Sequence, residues 1–367
     1  MVLVSILGDF HSSILPIFFE FKDKIQKHVI VYDDSVYNQN QLSKLIDGQN
    51  HYFEYNDLSI KFELIAIKIN EDDYESILNA YDCIIQSTQN PENIYLNTTD
   101  GLSSVSIVLS SKLLQDGSNI LSYDRYANTY NLHTSTNMNK FKIQNNLDIK
   151  NHLKLIGYSI LSFTNRFELQ NRKDIILELT SNLAHYKSFI GLLQSTPVDK
   201  IAGFDNYKTL LKSINKLNDR AFIQGTVFEE YIYHLIKDNC DFDDVMTGVK
   251  VKFATDFMNE LDLLMIKDNH LHTIECKFVN SLNGEHYVYK TSSIIDYLDD
   301  DGKAMILSIG ADNVRLTKLK NKKVQFTKGT LARARSENIK VHQSKIFDEK
   351  KFLNDIKQWF EVEITLY

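Results

Sequence analysis

Two β-type runs, Asn259-Glu-Leu-Asp-Leu-Leu-Met-Ile266 and Leu271-His-Thr-Ile-Glu-Cys-Lys277, flank the segment Lys267-Asp-Asn-His270. No other stretch constrains the chain as tightly. Asp268-Asn269 can occupy a tight two-residue hairpin turn. With that turn, Asp262 faces Glu275 across the strands and Glu260 faces Lys277. Side chains alternate along a strand, so these four share one face. Leu261, Leu263, Met265, Ile274 and Cys276 share the other, which suits a core. Directly opposed carboxylates repel, their Cβ atoms being about 4.5–5.5 Å apart. A divalent cation between them removes the repulsion, and hard oxygen ligands suit Mg²⁺ or Mn²⁺. Lys277 lies beside the pair, where an amine positions a water or steadies charge developing on a phosphorane. The plain alternative is an incidental surface pair.

The rest of the chain must house this hairpin. Its 367 residues suit two domains of about 150 residues with a connecting module. An apolar share of 43% with 24% charged residues excludes a disordered chain, a collagen-like repeat and a coiled coil. Three cysteines form no C-x-x-C pair and no even disulfide framework, so a reduced, cytoplasmic setting without structural zinc is expected. No apolar run reaches the roughly 18 residues of a membrane span, and no membrane partner is expected. The apolar start, Met1–Leu7, has no basic leader and ends at Gly8-Asp9, so it reads as a strand.

From Val2 to Tyr123 short apolar runs alternate with helical patterns, as in an open, mostly parallel sheet covered by helices. Ligands of such sheets bind in loops beyond the carboxyl ends of strands. Two loops qualify: Gly8-Asp9-Phe10-His11-Ser12-Ser13 and Asn97-Thr98-Thr99-Asp100-Gly101. In the second, Gly101 opens a helix whose free N–H groups suit phosphate, and Ser103 and Ser104 add hydroxyls. Plain helix caps are the competing reading of both loops. Residues 147–221 carry several 3.6-period stretches and read as a helical connector. From residue 222 a second α/β domain follows, giving expected domains 1–146, 147–221 and 222–367. Residues 1–146 hold 18 acids and 10 bases, whereas residues 310–345 hold ten Lys/Arg against two acids. A basic stretch that includes Lys320, Lys322, Lys323, Arg333 and Arg335 suits a nucleic-acid strand. A solvated lysine-rich face is the alternative.

The Asp262…Glu275-Cys-Lys277 arrangement resembles the Asp…Glu-x-Lys motif of the PD-(D/E)XK nucleases. In Gly225-Thr-Val-Phe-Glu-Glu230, Glu229 lines up with Ile232 and Ile236 on the apolar stripe of a helix, and Glu230 with His234 and Lys237. A first-helix glutamate commonly completes the metal site in that superfamily, which points to Glu229. With Asp262 and Glu275, the resemblance adds the Cys276 carbonyl and Glu229 as ligands of Mn²⁺ or Mg²⁺. Tyr289-Lys290 reads as a helix start that brings Lys290 toward substrate phosphate.

Together the G-x-x-F-E-E helix, the N-E-L-D…E-C-K hairpin and the basic tail resemble the CARF-domain nucleases of type III CRISPR systems. That resemblance implies a Rossmann-like CARF domain, a helical connector and a restriction-endonuclease-like domain. It implies a homodimer whose CARF domains bind a cyclic oligoadenylate, most often the tetramer, and thereby switch on metal-dependent cleavage. Single-stranded DNA or RNA, or nicked duplex DNA, would be the substrate. Asn97, Thr99 and Gly101 match that family's ligand loop, while Asp100 replaces a glycine and Ser103 a lysine. A ligand-independent restriction or repair nuclease competes with this reading, and a non-catalytic nucleic-acid-binding regulator ranks last.

Overall fold

The computed structural model describes residues 1–8, 12–36, 39–55, 62–88, 90–193, 195–254, 257–278, 284–299, 301–309, 326–344 and 346–363. They form two compact units, Met1–Ser159 and Ile160–Tyr367.

The first unit holds strands β1 (Val2–Ile6), β2 (Lys27–Asp33), β3 (Glu63–Ile69), β4 (Ile94–Asn97), β5 (Asn119–Asp124), β6 (Thr129–His133) and β7 (Met138–Lys142). Its helices are α1 (Leu15–Glu20), α2 (Gln39–Tyr55), α3 (Tyr74–Gln86), α4 (Ser103–Gln115) and α5 (Ile149–Leu155). The sheet order is β3-β2-β1-β4-β5-β6-β7, parallel through β5 and antiparallel beyond it. Helices cover both faces of a parallel sheet, so its strands read as apolar runs rather than alternations; β1 is buried at all five positions. Its core joins Val4, Ile6, Val29 and Leu96 to Ile77, Leu109 and Leu113 of α3 and α4. Because β2 and β4 flank β1, the strand order reverses there, and the loops after β1 and β4 meet at the crevice so formed.

Two elements of this unit were not expected. Helix α2 is polar overall, yet Leu42, Leu45, Gln49, Tyr52 and Phe53 recur at helical spacing and are buried. The β6–β7 hairpin extends the sheet with an edge strand exposed at every position, so no apolar face marks it.

The second unit contains β8 (Ser159–Ser162, starting at the boundary), β9 (Asp244–Ala254), β10 (Phe257–Lys267), β11 (His270–Phe278), β12 (Ala304–Ile309) and β13 (Ile339–Ser344). Helices α6 (Arg166–Thr180), α7 (Leu183–Leu192), α8 (Asp205–Ser213), α9 (Val227–Asn239), α10 (Gly284–Leu298), α11 (Lys328–Ser336) and α12 (Glu349–Phe360) surround it. The sheet runs β13-β12-β11-β10-β9-β8, parallel from β13 to β11 and antiparallel from there to β9. One core joins the connector helices to the sheet, with Tyr186, Phe189, Phe228, Leu263, Ile274 and Phe352 fully or almost fully buried.

The 147–221 stretch, expected as a connector, is shared between the units. Helix α5 packs on α2 of the first, while α6 to α8 bury their apolar faces in the core of the second. Tyr289-Lys290 lies inside α10, which begins at Gly284, rather than at a helix start. Trp359 is half-buried and donates its indole N–H to the Ala304 carbonyl at 2.9 Å, a packing role as its spacing with Phe352 and Ile356 implies. Among the described residues no helix is long and apolar enough to cross a membrane.

Candidate active site

The hairpin folds in the expected register. Leu263 pairs with Ile274, Met265 with His272 and Lys267 with His270, and the same offset sets Asp262 opposite Glu275. Asp268 (φ 50°) and Asn269 (φ 70°) supply the two left-handed residues of the turn. Strands β9 and β12 flank the hairpin, so both carboxylates lie in the sheet interior, 7% and 5% exposed.

Three oxygens converge on one cation. The Lys277 Nζ lies 3.0 Å from Asp262 Oδ2, 2.7 Å from Glu275 Oε1 and 2.9 Å from the Cys276 carbonyl oxygen. The Cys276 N–H donates to Asp262 Oδ2 at 2.7 Å, and Lys290 Nζ donates to Glu275 at 3.1 Å. Lys277 also sits over the Tyr287 ring, 5.2 Å from its centroid. The Cys276 thiol faces the core, where burial raises it well above its usual pKa.

Burial, then the neighbouring Glu275 charge, pushes Asp262 up to about 6, against the pull of Lys277. Glu229 rises further, to about 8, through burial and the charge of Asp262. Burial disfavours the Lys277 ammonium, but Asp262 and Glu275 outweigh it and raise its pKa. Negative charge is therefore in excess here even with the lysine in place.

Glu229 and Glu230 exchange the burial expected of them. Glu230 is fully buried along with His234, whereas Glu229 is half-buried and faces the hairpin carboxylates electrostatically. The cause is that α9 is covered on two sides, by the sheet and by α6, so its buried surface is wider than a single stripe. Sequence reading missed the partner of Glu230, Arg172 of α6, which grips both carboxylate oxygens.

No group of three carboxylate, imidazole or thiol side chains among the described residues is drawn together closely enough to hold an ion. Two carboxylates and a carbonyl nevertheless already surround the Lys277 ammonium. That oxygen set around a positive charge is of the kind that Mg²⁺ and Mn²⁺ take.

Of the residues expected to meet a strand, Lys290 reaches the hairpin. Arg333 of α11 stacks on Tyr289, 4.1 Å from its centroid, and Arg335 is exposed. Lys320, Lys322 and Lys323 lie outside the described residues.

In the first unit, the loops after β1 and β4 touch: a Cβ on Gly8 would lie 2.0 Å from the Asp100 carbonyl oxygen, so only glycine fits. Asp9, Phe10 and His11 lie outside the described residues; Ser12 is buried. Asn97 is fully buried, and its Oδ1 accepts from the Thr99 N–H at 3.1 Å and hydroxyl at 2.6 Å. Its Nδ2 finds no partner among the described residues. Thr98 is tied to the Leu121 carbonyl, and Gly101 N–H to the Thr98 carbonyl. Asp100 takes φ 51° and pairs with Arg125 at 2.7 Å, which neutralises the charge that replaces glycine. Leu102, not an Asx or Thr, stands at the N-cap of α4 and gives no side-chain cap, leaving Ser103 and Ser104 exposed on the first turn. Ile14 stands at the N-cap of α1 and gives no side-chain cap.

Residues 216–330 match the family model of the Card1-like endonuclease domain. No curated protein matches the sequence. The fold is similar to that of Can2 from Sulfobacillus thermosulfidooxidans, solved in complex with cyclic tetra-adenylate, at a TM-score of 0.68 and 17% identity over 98% of each chain. It is also similar to protein VC1899 from Vibrio cholerae, at 0.73 and 15% identity, again over 98% of each chain. Residues 216–330 are thus matched by an endonuclease domain, in a chain similar in fold to Can2 and VC1899.

Proposed function

We propose that this chain is a divalent-metal-dependent endonuclease of the PD-(D/E)XK type, switched by a cyclic oligoadenylate and acting in type III CRISPR antiviral defence. The observation that carries the metal-dependent chemistry is the convergence of Asp262, Glu275 and the Cys276 carbonyl on one cationic atom. Asp262, Glu275, the Cys276 carbonyl and Glu229 would hold Mn²⁺ or Mg²⁺. When bound, the ion supplies positive charge against the scissile phosphate. Its binding also relieves the excess negative charge that pushes Glu229 and Asp262 up. With an ion among those oxygens, Lys277 would keep its proton and offer Nζ–H donors to the charge that develops on the phosphorane. Lys290, Arg333 and Arg335 serve the backbone of a single DNA or RNA strand.

The switching half rests on the first unit. Its switch-point crevice offers the Asn97 amide, hydroxyls and an uncapped helix start, neutral donors suited to a small cyclic phosphodiester. A two-fold symmetric ring suits a homodimer of such crevices. The similarity in fold to a cyclic-tetra-adenylate-bound protein makes that tetramer the first ligand to try.

The test incubates the protein with Mn²⁺ and single-stranded DNA, single-stranded RNA or plasmid, with and without cyclic tetra-adenylate. Ligand-stimulated cleavage abolished by EDTA is expected. Equal cleavage without the ring favours a constitutive restriction or repair nuclease, and cleavage that survives EDTA contradicts the metal.

A further inference from the structure

We infer that Arg172, on connector helix α6, is a positioning residue that aims the Glu229 carboxylate at the hairpin by clamping its neighbour Glu230. Arg172 donates from Nε to Glu230 Oε2 at 2.6 Å and from Nη2 to Oε1, a two-pronged grip on a residue with no exposed surface. The same guanidinium lies over the ring of Phe222, 5.3 Å from its centroid, and 3.5 Å from Glu168 of its own helix. Phe222 opens the π-helical turn Phe222–Thr226 that leads directly into α9. Tyr186 of α7 fastens that turn from the other side, its hydroxyl donating to the Ile223 carbonyl at 2.6 Å.

The consequence falls on Glu229. Successive residues point about 100° apart around a helix, so fixing Glu230 against α6 fixes the direction Glu229 takes. Gly225 leaves room for that carboxylate, since a Cβ there would lie 3.3 Å from Glu229 Oε1. Stability alone does not account for the pair, since well-packed apolar residues replace buried ion pairs at little or no cost. A fork that sets rotation and register does what a greasy contact cannot. The π-turn is a wide, irregular coil of the kind found beside functional sites, and here side chains of both α6 and α7 hold it. A displacement of α6 would thus move the third carboxylate.

The inference rests on the metal site proposed above, and the experiment separates the two. Mn²⁺ binding is measured by calorimetry, well below each melting temperature, for the wild type, Glu229→Gln, Arg172→Lys and the double variant Arg172→Met/Glu230→Leu. The melting temperature of the metal-free protein is recorded alongside. The double variant is expected to keep its melting temperature yet bind Mn²⁺ about 10- to 100-fold more weakly, as when outer partners of metal ligands are removed. Arg172→Lys, which keeps the charge but loses the fork, is expected to fold and to fall between wild type and the double variant. Wild-type Mn²⁺ affinity in a folded double variant or in Arg172→Lys, with Glu229→Gln impaired, overturns the positioning role alone. Unchanged affinity in Glu229→Gln removes Glu229 from the site and overturns the positioning role with it, whereas failure of the wild type to bind Mn²⁺ overturns the metal site itself.

Discussion

At the switch point of the first sheet, the Asn97 amide and the uncapped start of α4 are neutral donors, and Asp100, an acid among the described residues there, is paired by Arg125. The second sheet instead gathers Asp262, Glu275 and Glu229 with Lys277 and Lys290, a cluster in which burial and then neighbouring negative charge raise Glu229 and Asp262. Both sites sit among the strands of α/β sheets, yet their energetics are opposed. The first has its charge neutralised within the fold and leaves uncharged donors, the Asn97 amide and the start of α4, without partners among the described residues. The second carries buried carboxylates whose charge Lys277 offsets only in part, as the proposed cation site would require.

The sharpest way to break this contrast is to remove a carboxylate. Asp262→Ala or Glu275→Ala is expected to lower kcat for Mn²⁺-dependent cleavage by at least about 1,000-fold in a single-turnover assay, since each carries charge stabilisation that nothing nearby replaces.

Next comes the lysine. Lys277→Met leaves its carboxylate partners buried without their cation and is expected to destabilise the metal-free protein by about 3 kcal/mol in urea titrations. Added Mn²⁺ is expected to restore most of that loss. A variant as stable as wild type without metal would mean that the cluster is not frustrated.

The pH dependence has two limbs of opposite sign. Glu229 titrates near 4.5 unfolded but about 8 folded, and Asp262 near 3.8 and about 6. The folded metal-free protein therefore holds protons that the unfolded chain has lost, and stability falls as pH rises from about 4.5 to 8. His28 of the first unit, buried between Gln49 and Ser5, is lowered by burial from 6.5 to about 4. Stability from it is complete above 6.5 and is lost as pH falls toward 4; His234 of the second unit adds to this acid limb. Glu229→Gln is expected to flatten the alkaline limb and spare the acid one. In the wild type, Mn²⁺ affinity is expected to climb between pH 6 and 8.

Two smaller effects follow. Replacing Asp268 or Asn269 with Ala forces a Cβ-bearing residue without a compensating polar side chain into the left-handed region and is expected to cost about 1–2 kcal/mol of stability. Asn97→Ala is expected to weaken cyclic tetra-adenylate binding about tenfold by thermal-shift titration, the value of roughly one hydrogen bond.

The contrast also explains what could be read in advance. Alternation along β10 and β11 and an Asp-Asn turn specify register, so the facing of Asp262 and Glu275 is written locally. The βα order of the first sheet is equally local, because parallel strands buried on both faces are apolar runs. What escaped depends on distant partners. Glu230 looked solvent-facing because its burial comes from α6, and Arg172 is one cation on a mostly polar helix, 58 residues away. Asp100 looked hostile to an anion because Arg125, on the turn after β5, is brought to it only by the fold. Helix α2 hid its buried side among asparagines and glutamines.

The central claim is that the hairpin oxygens hold one divalent ion, and Mn²⁺ electron paramagnetic resonance tests it without any substrate. Titrating Mn²⁺ into the protein should quench the free-ion signal until a single ion is bound per chain, and both Asp262→Ala and Glu275→Ala should abolish that uptake. Uptake that is the same in the wild type and in both variants would contradict the account.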